Sequence, residues 1–203
     1  MSILLPLFPL DLVLLPGNLL PLHIFEPRYR EMISECLERK TPFGVVRAKD
    51  QGIAETGCTA EILSISKKYE DGRLDIITRG RECFEIVHVN QERAFLQAEV
   101  IYLVDQAGRP TSEEKAKAMK LHGEILTLAK ARTVDSSEIP EEQLSFHFAG
   151  SLPVDLNFKQ TLLETRSEAE RLRALIVFLE AILPNLRRTV HVRQKAGGNG
   201  HAN

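Results

Sequence analysis

The hydrophobic period of this chain changes once, between Asp105 and Thr111, and that change restricts it to folds in which strands come first and helices follow. Before the change, apolar residues form short runs or alternate. Leu5 to Leu10 and Leu19 to Phe25 are apolar but carry prolines, which suits edge or bulged strands because proline cannot donate a ladder hydrogen bond. Phe43 to Ala48 and Thr59 to Ser66 read as strands. Leu74 to Thr78 follows Asp71-Gly72, a strong hairpin signal. Phe84 to Val89 and Phe95 to Val104 complete about seven short strands, spaced as in a small closed or half-closed barrel. One helix interrupts them. Pro27 suits its first turn, Tyr29, Met32, Ile33, Cys36 and Leu37 share a face, and Thr41-Pro42 ends it.

After the change, apolar residues recur every three or four positions. Thr111-x-x-Glu114 has the form of a capping box, and Ala118, Leu121, Ile125, Leu128 and Ala129 line up behind it. Ser136-Ser137 and Pro140 open a second helix with Leu144 and Phe148. Asn157-x-x-Gln160 opens a third with Leu162 and Leu163. Ser167-x-x-Glu170 caps a fourth, in which Leu172, Leu175, Ile176, Leu179 and Ile182 share a side, and Pro184 stops it. The chain is therefore expected to be α+β. Residues 1–107 form the β-barrel part with its inserted helix, 108–186 a helical bundle packed against it, and 187–203 a flexible polar tail.

Several function classes are excluded by what the sequence lacks. The formal net charge of −2 supplies no general attraction to phosphate, which disfavours nucleic acid as a partner. The leucine-rich start has no Lys or Arg before Arg28 and is broken by Pro6, Pro9, Asp11, Pro16 and Gly17. It therefore reads as neither a secretory signal nor a membrane helix, and a cytoplasmic location is expected. Cys36, Cys58 and Cys83 match no metal or redox spacing and suit a reducing compartment. There is no P-loop. Ala149-Gly-Ser-Leu-Pro lacks the glycines of a nucleophile elbow, and the histidines form no metal-binding motif. No catalytic residue, metal or cofactor is expected.

Two charged constellations remain. Glu26-Pro-Arg-Tyr-Arg places a carboxylate and two arginines at a strand-to-helix corner. There Glu26 either pairs with an arginine or caps the helix, and a partly buried Glu26–Arg28 pair would make Arg28→Ala destabilising. Lys67, Lys68, Arg73, Arg79 and Arg81 surround the Asp71-Gly72 turn, either as a solvated hairpin or as a phosphate-facing patch. His23, in an apolar strand, is expected to be a hydrogen-bonded structural residue.

Leu5-Pro-Leu-Phe-Pro-Leu, Val13-Leu-Leu-Pro-Gly and Leu20-Pro-Leu-His-Ile-Phe-Glu-Pro-Arg-Tyr, in that order, resemble the opening of the Lon protease N-terminal domain. Phe43-Gly-Val-Val, Gly57-Cys-Thr-Ala-Glu-Ile, Asp71-Gly-Arg, Thr78-Arg-Gly-Arg-Glu-Cys-Phe, Leu96-Gln-Ala-Glu-Val, Lys159-Gln-Thr-Leu-Leu-Glu and Arg171-Leu continue the resemblance to about residue 183. It implies a PUA-like pseudobarrel followed by a helical bundle, in a member without the ATPase and protease domains of full Lon enzymes. It also implies a non-catalytic module or adaptor that holds unfolded or flexible polypeptide, with a protease or chaperone as a further partner. His23, Phe25, Glu26, Arg28 and Tyr29 carry the family motif and are expected to be structural. Leu14, Leu15, Pro16, Leu19, Leu20 and Pro21 are the candidate polypeptide-binding residues, because prolines among leucines prevent regular pairing; the same leucines could instead close the barrel. RNA binding is the alternative, since PUA-like barrels occur in RNA-binding proteins.

Overall fold

The computed structural model describes residues 4–131 and 139–198, with side chains as far as Val190. Its strands are β1 (Leu5–Leu10), β2 (Leu19–Ile24), β3 (Phe43–Ala48), β4 (Ile53–Lys68), β5 (Leu74–Asn90) and β6 (Gln97–Tyr102). Its helices are α1 (Pro27–Arg39), α2 (Ser112–Leu128), α3 (Leu144–Ser151), α4 (Leu156–Glu164) and α5 (Glu168–Gly198), with a 3-10 turn at Glu141–Gln143 before α3. The chain is therefore α+β, with one six-stranded sheet.

The sheet closes on itself. Its order is β2-β5-β4-β3-β1-β6, and β6 also pairs with β5. Every pairing is antiparallel except β1 with β3. β5 can serve three neighbours because it is long and bent: Leu74 to Arg79 pairs with β2, and Phe84 to Asn90 pairs with β6. Inside the ring, Phe84, Leu5, Leu7, Val46 and Ala98 form a small buried cluster. A larger core runs continuously from Phe8, Ile33 and Ile76 to Leu162, Leu172 and Leu179, so sheet and helices share one interior.

Several local expectations are corrected. The two runs Leu74–Thr78 and Phe84–Val89 are one strand, so the described residues hold six strands rather than seven. Asp155, not Asn157, caps α4; its side chain accepts from the Phe158 N–H at 2.9 Å. Pro184 does not stop α5, which continues to Gly198. Proline removes one backbone hydrogen bond there. Packing carries the helix past it: Leu183 is buried, Leu186 packs against the core, and Arg187 pairs with Glu124 of α2. Residues 187–198 are thus helical rather than a loose tail, whereas residues 199–203, and Ser136 and Ser137 at the expected second helix start, lie outside the described residues. The Thr111–Glu114 capping box is present in both directions, at 3.1 and 2.7 Å.

A buried cluster joins the two halves. Arg171 on α5 is 1% exposed. It donates to Asp105 after β6 (2.8 and 2.5 Å), Glu168 (2.9 Å), Ser145 Oγ (3.2 Å) and the carbonyls of Thr165 and Glu142 (2.8 and 3.2 Å). Its guanidinium also lies over the Phe146 ring, 4.2 Å from the centroid. Burial pushes the Glu168 carboxyl above its ordinary range, against the pull of Ser145 and Arg171.

Candidate polypeptide-binding surface

The residues singled out in the N-terminal segment separate into two environments. Leu15-Pro-Gly-Asn18 forms a turn in which Gly17 has φ +81°, a conformation that glycine adopts without strain. The turn is pinned to β5: Gly17 N–H donates to the Gly80 carbonyl and Gly80 N–H donates to the Asn18 carbonyl, both at 2.9 Å. A side chain at position 80 would start 2.3 Å from the Leu15 carbonyl oxygen, so this close approach requires glycine. The turn drives Leu14 and Leu15 into the core at 3% and 0% exposure, and Pro16 is buried with them. These three are therefore not available to a partner; they close the interior.

Leu19 to Phe25 behaves differently. Among the described residues β2 is an edge strand, paired only with β5. Strand alternation turns Leu19, Pro21 and His23 outward, and Phe25 follows just beyond the strand end. Leu19 is 59% exposed and Phe25 58%, while Leu20 and Leu22 are half-buried against the core. Phe25, expected as a structural residue, presents most of its ring to solvent. It stacks on the His23 imidazole, with centroids 5.8 Å apart.

His23 is held from the neighbouring hairpin. Its Nδ1 lies 2.5 Å from Asp75 Oδ1, and the Tyr69 hydroxyl donates to Asp75 Oδ2 at 2.8 Å. The His23 contact, then the Tyr69 hydroxyl, hold the Asp75 carboxyl below its ordinary range. Lys67 and Arg73 lie over the Tyr69 ring at 4.5 and 4.9 Å, so part of the basic hairpin cluster is committed to aromatic contacts. Asp75 and Tyr69 were not identified from the sequence; only the β2–β5 register, which sets His23 opposite Asp75, brings them together.

At the corner, Glu26 precedes α1 but makes no capping bond. Its carboxylate pairs instead with Arg28, at 2.8 Å, and both side chains are well exposed at 39% and 49%. The pair is therefore not partly buried. Tyr29 is the buried member of the motif, its ring tilted against that of Phe8 with centroids 4.1 Å apart. Arg30 donates to the Asp71 carbonyl of the hairpin turn.

A cleft of about 500 Å³ lies between the end of α1 and strands β4 and β5. Its Cys36 thiol is pushed up to about 11 by burial, and Cys83 on β5 to about 12 by the same cause, which leaves both protonated at neutral pH. Among the described residues, no group of three His, Cys, Asp or Glu side chains is placed to hold a metal ion. Among the same residues, no helix is long and apolar enough to cross a membrane.

A closed sheet with an exposed apolar edge strand, followed by packed helices, is the setting for the comparisons with known proteins. The family described as the ATP-dependent protease La (LON) substrate-binding domain matches residues 4–181, and the chain belongs to that family. It is 26% identical over 202 residues to the Lon protease of Paraburkholderia phytofirmans, covering 92% of this chain and 25% of that one. It is likewise 26% identical over 192 residues to Lon protease 2 of Myxococcus xanthus, covering 86% of this chain and 23% of the relative. The chain thus spans about a quarter of the length of these relatives. A solved Lon N-terminal domain protein from Xanthomonas campestris superimposes with a TM-score of 0.71 at 25% identity, over 86% of this chain and 98% of that one. The N-terminal domain of the Mycobacterium avium complex Lon protease gives 0.65 at 21% identity, over 87% and 98%, and shows the shared fold. The family supports a substrate-recognition module; the RNA alternative gains no support from these matches.

Proposed function

We propose that this chain is a non-catalytic module that holds unfolded or flexible polypeptide on the outer face of β2. The observation that carries the reading is the outward row Leu19, Pro21, His23 and Phe25 on an edge strand, with two large apolar side chains more than half exposed. An edge strand offers backbone groups to an extended ligand, and its outward side chains offer apolar contact. Leu20, half-buried between them, backs this row. The family description adds weight, since it is that of a substrate-binding domain. We read the closed sheet as a PUA-like pseudobarrel and residues 108–186 as the bundle that braces it. In this reading the module is cytoplasmic and acts as an adaptor, passing its cargo to a separate protease or chaperone.

The test uses a carboxymethylated, permanently unfolded polypeptide and fluorescence anisotropy. Losing one such buried apolar contact costs about 1.5–3 kcal/mol, roughly tenfold or more in affinity. The double variant Leu19→Ser, Phe25→Ser is expected to bind at least about tenfold more weakly at unchanged Tm. Unchanged binding by that variant would sink the assignment to β2.

A further inference from the structure

A second cleft, of about 310 Å³, opens at the seam where β5 and the Pro16–Asn18 turn meet the start of α3. Its polar lining consists of Asn18, Arg79, Arg81, Gln143 and His147, with no carboxylate among the lining residues. Arg81 is already paired with Glu61 on β4. The Arg79 guanidinium makes no side-chain hydrogen bond or ion pair among the described residues, and the residue is half-buried. His147 Nε2 is shut off from solvent and has no hydrogen-bond partner among the described residues. A buried ring nitrogen without a partner is costly to maintain, and here it lines the same cleft as a guanidinium that no carboxylate of the described residues pairs.

We propose that this cleft is an anion site, and that it takes a carboxylate carried by the polypeptide held on β2. The inference rests on the reading given under Proposed function and deepens it. Arg79 is the cross-strand partner of Leu19, which is 59% exposed, so the residue that carries the free guanidinium is paired with the apolar edge strand. A guanidinium presents a planar fork of N–H donors that matches the two oxygens of a carboxylate. Asn18 and Gln143 can donate amide N–H bonds from either side of the seam. Burial lowers the His147 pKa, so the ring meets the anion as neutral imidazole, able to donate one N–H. The carboxylate can come from the C-terminus of the bound chain or from an Asp or Glu side chain within it.

The experiment has two arms, each run on the full chain and on Arg79→Gln, with Tm measured for both. In the first, three fluorescein-labelled decapeptides of one apolar sequence are compared: one with a free C-terminal carboxylate, one C-terminally amidated, and one amidated with a single internal Glu. The free-acid peptide is expected to bind about tenfold more tightly than the plain amide, and Arg79→Gln to erase that difference without weakening the amide or lowering Tm. The Glu-bearing amide identifies the source: binding at the free-acid level assigns any carboxylate, and binding at the amide level assigns the chain terminus. In the second arm, sodium acetate is titrated while the His147 imidazole signals are followed by NMR, and they are expected to shift in the full chain but not in Arg79→Gln. If the peptides bind without preference and acetate leaves His147 unmoved, the anion site is overturned while polypeptide binding stands. If no peptide binds but acetate shifts His147 through Arg79, the anion site stands and the polypeptide reading falls.

Discussion

Two arginine–carboxylate pairs in this protein have the same chemistry and opposite settings. Arg28 and Glu26 meet at the start of α1 with 49% and 39% of their side chains in solvent. Arg171 and Glu168 meet beneath α3 with 1% and 5% exposed. Water screens the first pair and competes for its hydrogen bonds, so the pair is worth little. The second has given up its hydration and is held by Asp105, Ser145 and two backbone carbonyls, so removing one partner strands the other. Both arginines lie in stretches that resemble the Lon N-terminal domain, yet only one joins the two halves of the molecule. Buried seam and exposed corner should therefore respond very differently to substitution.

The largest effect should come from the seam's apolar part. Leu15→Asp places an unpaired charge where exposure is 0%, and the expected outcome is a chain that does not fold, read as loss of a cooperative urea transition. Leu19→Ser, four residues away, should leave that transition in place. Next is Arg171→Met, which leaves Glu168 buried without its cation and should cost about 3–5 kcal/mol in urea denaturation. Adding Glu168→Met should recover part of the loss; if it deepens the loss, the buried pair is not what sets the cost.

A smaller effect concerns pH. His122 on α2 is buried, stacks on Phe148 at 4.4 Å and lies 2.7 Å from Ser151 Oγ. Burial, with a smaller contribution from His147, lowers its pKa from 6.5 to about 4. The unfolded chain therefore takes up this proton near pH 6.5, and the folded chain only near pH 4. Stability from this group is complete above about 6.5 and declines as pH falls toward 4, by on the order of 1 kcal/mol between pH 7 and 5. His122→Gln should flatten that dependence in thermal melts at the two pH values. The smallest effect is expected at the corner: Arg28→Ala should cost no more than about 1 kcal/mol, combining an exposed ion pair with the cation–π contact of Arg28 over Tyr29. A loss of several kcal/mol would erase the distinction between corner and seam.

Legibility in the sequence followed locality. The start of α1 at Pro27, the Thr111 capping box, the bounds of β3 and the hairpin at Asp71-Gly72 depend on neighbours within a few residues, and all are present. The unity of β5 was not legible. Arg79-Gly-Arg-Glu looks like a break between strands, and Gly80 serves there to admit the Leu15 carbonyl from a distant turn. For the same reason, the candidate residues Leu14 to Pro21 could not be sorted into buried and exposed members before the turn was placed. Arg171 gave no signal of its depth, because a Glu–Arg pair three residues apart on a helix usually marks a solvated face. Its burial depends on Asp105, which reaches it from the end of the sheet.

The closed ring has a consequence for how the chain must come together. β1 finds its partners in β3 and in β6, with Leu5 opposite Ala98. β1 therefore waits, leucine-rich and half-paired, until β6 has been made. The clamp at Arg171 comes later still. Long-range closures of this kind are slow, because the entropy of joining distant segments is lost before the contacts form. During that interval Leu5, Leu7, Leu14 and Leu15, which end in the core, are open to contact with other chains, so closure of the ring is the step at which aggregation competes with folding.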